Sequence, residues 1–183
     1  SDIILVKQYN HPNLVESLGT LFPTDKTIFS IANNHSADYG QDAFQHTVDL
    51  VEAAGARTIG TRAAPGITLD GVVHVQSLAS FCNVECDFIP YVDDAQPNAN
   101  APLNILYPHW GTEFSVYPDP NEIEQGMKLV ANWDAVIGHH THCPGPITEY
   151  EVEGDKRLVA YSLGNFVTWF NHKAVSYGIV LKI

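Results

Sequence analysis

Short apolar runs alternate with amphipathic stretches along this chain, which is the pattern of an α/β domain. Asp2-Ile3-Ile4-Leu5-Val6 is a continuous β-branched run that reads as a buried strand. Thr27-Ile28-Phe29-Ser30-Ile31 reads as a second and runs directly into Asn33-Asn34-His35. From Gln41 to Ala54, Ala43, Phe44, Val48, Val51 and Ala54 recur at helical spacing, and Gly55 supplies the stop. Arg57-Thr58-Ile59 and Val72-Val73-His74-Val75 are weaker strand signals. Leu103-Asn104-Ile105-Leu106-Tyr107 is a better one and delivers His109 at its C-terminal end. A second helix is well signed: Asp119 caps it, Pro120 fits the first helical position and Glu122 completes a capping box. Ile123, Met127, Val130 and Trp133 are its expected apolar face. Asp134-Ala135-Val136-Ile137 is a short buried strand ending at Gly138-His139-His140-Thr141-His142. Leu158-Val159-Ala160-Tyr161 and Gly178-Ile179-Val180-Leu181 complete the expected strands, and residues 95–102 read as a surface connection.

With 183 residues and 45% apolar composition, the chain can bury one core as a single domain without disulfide or metal staples. Its 9 basic against 21 acidic residues leave a formal charge of −12, so phosphate backbones and anionic lipid are repelled. Nucleic acid is therefore excluded as a first guess. No apolar run is long enough to predict a membrane-spanning helix. The unusual count is nine histidines beside one methionine, and the histidines are clustered.

Three predicted strands end in ligand-capable residues: Asn34-His35, His109, and His140-Thr141-His142. Binding sites in α/β sheets form beyond the C-terminal strand ends, where side chains converge without disturbing the core. Imidazole is a common metal ligand, a His-x-His pair directs two nitrogens at one ion or two, and an Asn oxygen is a neutral ligand. A histidine immediately after such an Asn is placed to act as a general acid or base. Each piece also has a plainer reading. His109 alone is equally a hydrogen-bonded packing residue, and Asn34-His35-Ser36 is formally a glycosylation acceptor, although that needs a surface loop.

Four blocks in order resemble the CapA-type capsule synthesis (poly-γ-glutamate biosynthesis) family of bacteria. They are Ala32-Asn33-Asn34-His35-Ser36-Ala37-Asp38-Tyr39-Gly40, His109-Trp110-Gly111-Thr112-Glu113, Ile137-Gly138-His139-His140-Thr141-His142 and Tyr161-Ser162-Leu163-Gly164-Asn165-Phe166-Val167. The resemblance implies a metallophosphatase-like fold, a β-sandwich flanked by helices, with a site for one or two divalent ions such as Mn, Zn or Fe. It assigns metal ligation to Asn34, His109, His140 and His142, and leaving-group chemistry to His35. Glu113, His139 and Asn165 fall in or beside these blocks as substrate-binding or supporting residues. The family's opening Gly-Asp block and a later Asn-x-Glu block have no match, so the resemblance implies one domain over residues 1–183 that lacks its N-terminal strand block.

The function implied is a metal-dependent hydrolase of capsule or poly-γ-glutamate metabolism, acting on a phosphoester or a γ-glutamyl amide in the cell envelope or outside the cell. The alternative is a non-catalytic accessory protein that binds the anionic polymer during assembly or export. A third reading makes the histidines pH-responsive packing groups of a scaffold. Cys82-Asn83-Val84-Glu85-Cys86 either closes a small disulfide in an oxidising compartment or holds two reduced thiols. Trp110, Phe114, Tyr117, Trp169 and Phe170 are read as core or cleft aromatics, Lys156-Arg157 as a hairpin surface, and Asp38 and Tyr39 as helix entry or site.

Overall fold

The computed structural model describes residues 7–166 and 173–183. The strand expected at residues 2–6, and Trp169 and Phe170, lie outside the described residues. Within them the elements run α1 (Asn13–Gly19), β1 (Ile28–Ser30), α2 (Gln41–Ala53), β2 (Arg57–Ile59), β3 (Gly66–Leu69), β4 (Val73–Ala79), β5 (Leu103–His109), α3 (Pro120–Val130), β6 (Ala135–Ile137), β7 (Ile147–Val152) and β8 (Asp155–Ala160). The class is α/β, as expected. A mixed six-stranded sheet in the order β3-β4-β5-β6-β8-β7 stands beside a parallel pair, β1-β2, with the three helices flanking them. The arrangement is consistent with a metallophosphatase-like fold. No described helix is long and apolar enough to cross a membrane.

β4, β5, β6 and β8 are mutually parallel, so their C-terminal ends share one edge of the sheet. Alternation along these strands divides the side chains between two faces. Leu78, Leu106, Val136 and Val159 point to one, where they pack with Trp110, Val130, Trp133 and Tyr161. Ile105, Ala135, Ile137 and Ala160 point to the other, with Tyr107, Leu103 and Val75 half-buried around them. A separate cluster of Ile31, Ala32, Phe44, Val48, Ala79 and Ile89 wedges α2 and the end of β1 against the end of β4. Ser30 and Ser77 hydroxyls share a hydrogen bond at 2.6 Å, which ties the β1-β2 pair to the large sheet.

Several elements differ from the expectation, among them α1 and β3, which have no counterpart in the sequence reading. α3 begins as predicted, with Pro120 at its first turn and Asp119 Oδ1 accepting from the Asn121 and Glu122 amides. Its buried face, however, is Glu122, Gly126 and Val130, followed by Trp133, while Ile123 and Met127 are exposed. Gly126 decides this, because a Cβ there would lie 3.2 Å from the Tyr161 ring, so the glycine side alone lets the helix approach β8. Glu122 is consequently turned inward and its Oε1 has no hydrogen-bond partner among the described residues, so the reciprocal capping box does not form. Residues 178–181 do not make a strand; Gly178 forms one isolated bridge to Gly164. β7, absent from the sequence reading, pairs antiparallel with β8 through a turn at Glu153-Gly154, placing Lys156 and Arg157 on the expected hairpin.

Candidate functional site

All the ligand-capable blocks converge at the shared C-terminal edge of the parallel strands. β1 ends three residues before Asn33, β5 ends at His109, β6 ends before Gly138, and β8 leads into Ser162 and Asn165. Backbone pairing continues past the strands, with His109 bridged to His139 and the Trp110 amide donating to the His139 carbonyl at 3.1 Å. Gly138 makes this junction possible. The Trp110 Nε1–H donates to the Tyr161 carbonyl at 2.9 Å directly across it, and a Cβ on residue 138 would sit 2.0 Å from that nitrogen.

Asn34 is 6% exposed, too buried for glycosylation. Its Oδ1 faces His109 Nε2 at 2.9 Å, so that nitrogen carries the proton and donates. His109 Nδ1 then accepts from His139 Nδ1 at 3.1 Å, which leaves His139 Nε2 a buried acceptor with no partner among the described residues. The His139 ring stacks on Tyr107 at 4.4 Å. His140 lies with its ring centroid 4.5 Å from that of His109, and Phe81 meets it edge-on at 5.1 Å. His142 Nδ1–H donates to Asn165 Oδ1 at 2.9 Å, and the Asn165 amide is fixed in turn by donating to the Val175 carbonyl at 3.0 Å. That bond leaves the lone pair of His142 on Nε2, which lies 3.6 Å from a Glu113 carboxylate oxygen.

His35 is held by a partner that the sequence left ambiguous. Its Nδ1–H donates to Asp38 Oδ2 at 2.7 Å, and Asp38 also accepts from the Gln8 amide at 2.8 Å. His35 Nε2 is thereby the basic nitrogen. Asp38 was legible from its place three residues after His35, a spacing that suits helix entry equally well. Asn83 was missed. Its amide donates to the Asn34 carbonyl at 2.8 Å, its Oδ1 accepts from Asn34 Nδ2 at 3.3 Å, and its Nδ2 sits 3.5 Å from His35 Nδ1. Asn83 therefore decides which way the Asn34 amide points, and nothing in its spacing from Asn34 announces the contact.

Burial sets the electrostatics. It holds His109 far below the ordinary imidazole range, with the charge of neighbouring His139 and His140 adding to the effect. The same causes push His139 down to about 3 and burial, the first cause, brings His140 down to about 4. Backbone strain gathers at the same place, with φ of +105° at His140, +63° at His142 and +61° at Phe114. Such conformations cost of order 1–3 kcal/mol each and cluster at functional sites. The Phe114 amide donates to the Thr141 carbonyl at 2.8 Å, so the two strained turns brace one another. Trp110 is fully buried, whereas Phe81, Phe114 and Tyr117 are exposed.

The donor set fits a divalent ion in part. Two ligands about 2.1 Å from one ion at a right angle lie about 3 Å apart, which matches the Asn34 Oδ1 to His109 Nε2 separation of 2.9 Å. The four candidate ligands are all neutral, and no three His, Cys, Asp or Glu side chains among the described residues form an assembled metal-holding group.

An α/β sheet whose parallel strand ends gather histidine and asparagine side chains is consistent with a metallophosphatase-like fold. The sequence matches the family described as bacterial capsule synthesis protein PGA_cap over residues 5–66 and 87–169, and the chain belongs to that family. It is similar to the PGA biosynthesis protein CapA of Bacillus subtilis (strain 168), at 28% identity over 83% of this chain and 45% of that protein. It is also similar to the capsule biosynthesis protein CapA of Bacillus anthracis, at 25% identity over 77% of this chain and 40% of that one. The chain thus spans less than half the length of these relatives. No solved structure matches it.

Proposed function

We propose that this chain carries the histidine cluster of a metal-dependent hydrolase in capsule or poly-γ-glutamate metabolism of the cell envelope. The observation that carries the reading is the convergence of Asn34 Oδ1 on His109 Nε2 beside the His35–Asp38 pair. Asn34, His109, His140 and His142 would hold a Mn, Zn or Fe ion. Bound there, the ion would polarise the scissile bond and acidify an attacking water. The remaining work falls to side chains. Asp38 fixes the His35 ring so that Nε2 faces away from the carboxylate, where, once it has taken up a proton, it can pass that proton to the departing oxygen or nitrogen. Asn165 holds His142 with its Nε2 lone pair presented to the site. With His109 Nε2 as a ligand, its Nδ1–H would donate to His139 Nδ1, and His139 would then carry its own hydrogen on Nε2.

Two substrate classes suit this arrangement, a phosphoester and a γ-glutamyl amide. The test is metal analysis of the purified chain, followed by phosphatase and γ-glutamyl hydrolase assays with added Mn, Zn or Fe. Hydrolysis of either substrate, abolished by His140→Ala/His142→Ala, is the expected result. A chain that binds none of these metals and is inert on both substrates overturns the reading. A second reading, a non-catalytic polymer-binding accessory protein, draws on the exposed aromatic rim of Phe81, Phe114 and Tyr117. Retained polymer binding by the inert double-histidine variant would favour it.

A further inference from the structure

Cys82 and Cys86 are free, half-buried thiols at the two ends of a five-residue loop, and both pack onto the cluster of Ile31, Phe44 and Tyr91. The loop has bends but no helical or strand pairing of its own, so its ends can approach without breaking a ladder. Cys82 Sγ–H lies 3.4 Å from the Asn34 carbonyl and 3.7 Å from that of Asn33, and can donate to one at a time. Cys86 Sγ lies 3.6 Å from the Tyr91 hydroxyl, which donates to the Cys86 carbonyl at 3.0 Å. Between the two cysteines sits Asn83, the residue that bonds Asn34 through both backbone and side chain and borders His35.

We propose that Cys82 and Cys86 form a reversible thiol–disulfide site, oxidised by small-molecule disulfides, that resets the seating of Asn83 on Asn34 and His35. The exchange balances without any other reagent. One cysteine thiolate attacks the external disulfide and expels a thiolate, and the second cysteine thiolate displaces the remaining half. Two electrons pass from the protein sulfurs to the reagent, which leaves as two thiols, and one S–S bond replaces another. The consequence for the site follows from the donor that is lost. A disulfide sulfur carries no hydrogen, so the Asn34 and Asn33 carbonyls lose the Cys82 donor, and the Cys82 sulfur turns toward Cys86. Asn83 is one residue from that pivot and moves with it. Cys82, Asn83 and Cys86 fall between the two stretches that match the family, at residues 5–66 and 87–169, except that the loop's last cysteine directly abuts the second. The device is therefore read from this chain's own geometry, and it stands whether or not the proposed hydrolysis is correct.

The experiment is oxidation of the purified chain with excess glutathione disulfide at about pH 8.5, followed by thiol titration after unfolding, peptide mapping and NMR of side-chain amides. The titratable thiols are expected to fall from three to one, with buried Cys143 the survivor and a Cys82–Cys86 cross-linked peptide recovered. The side-chain amide signals of Asn34 and Asn83 are expected to shift and to return on reduction. In C82S/C86S, and equally in C82A/C86A, the same oxidant leaves those signals in place. Three remaining thiols, or glutathione adducts with no internal cross-link, overturn the proposal. A cross-link that forms while both asparagine signals stay fixed overturns its coupling to the site.

Discussion

Three histidines at the strand ends are held neutral by burial, and this makes stability depend on pH in one direction. Their folded-state pKa values lie below the free value, near 3 for His139 and near 4 for His140, with His109 also lowered. Below about pH 6.5 the unfolded chain therefore binds more protons than the folded one. Stability is full above that pH and falls as pH drops through about 6 toward 4. Each neutral-locked histidine contributes at most about 1.4 kcal/mol per pH unit, before solvent screening reduces it. Urea midpoints of metal-free protein should fall between pH 7 and pH 5, and the slope should be shallower in His139→Leu. At the same scale, Asn165→Ala removes the acceptor that fixes the His142 tautomer. On the proposed function it should weaken Mn or Zn binding about tenfold or more by calorimetry, because outer partners of ligating histidines typically contribute that much. Asp38 and Asn83 show the limit of reading single residues. Asp38 stood within reach of His35 in sequence, whereas Asn83 reaches Asn34 across 49 residues through a loop that carries no periodic signal.

Among the elements, the parallel strands were legible because short, mostly apolar runs bounded by polar residues read as buried strands. Leu103–His109 and Ala135–Ile137 appeared within a residue or two of expectation. The helix α3 was legible at its start, where capping chemistry is local, but not in its face. Ile123 and Met127 follow helical spacing as well as Glu122 and Gly126 do, and only the close approach to Tyr161 chooses between them. β7 escaped because Ile147–Val152 alternates with charged residues, and its half-buried pattern depends on the hairpin partner. Gly138 is where an element's end and the site meet. Gly138→Ala forces a methyl into the Trp110–Tyr161 hydrogen bond, so it should cost about 3 kcal/mol or more by denaturant unfolding. It should also displace His139, His140 and His142, which follow directly, and so, on the proposed function, abolish metal binding where Ala at exposed Gly154 would leave it intact.

For the whole molecule, the charge of −12 sets a repulsion that no single contact reveals. Raising salt from about 10 to about 150 mM shortens the Debye length from about 30 to about 8 Å and screens that repulsion. Thermal unfolding should move upward over this range, and a fall would show that the few ion pairs, such as Lys128–Glu124 and Lys156–Glu149, outweigh it. The α/β class and the convergence of strand ends could be read from the chain because both follow from the order of apolar runs. The pairing of β1, among the described residues, with β2 and apart from the six-stranded sheet could not, since three-residue strands carry too little pattern to declare a partner.

The hydrogen bond thrown over Gly138 also gives the molecule an optical signature. Trp110 is sealed in the core, stacks on Tyr161 with centroids 6.0 Å apart, and sits one residue from His109. Its rigid, asymmetric setting produces near-ultraviolet circular dichroism, and its shielded indole emits to the blue of a hydrated one. The same indole keeps the β6 exit and the histidine turn in register, so its spectrum follows the integrity of the site. In a chain with Trp133 and Trp169 replaced by Phe, loss of the dichroic band while backbone signal persists would therefore mark a sheet that survives and a histidine turn that has come undone.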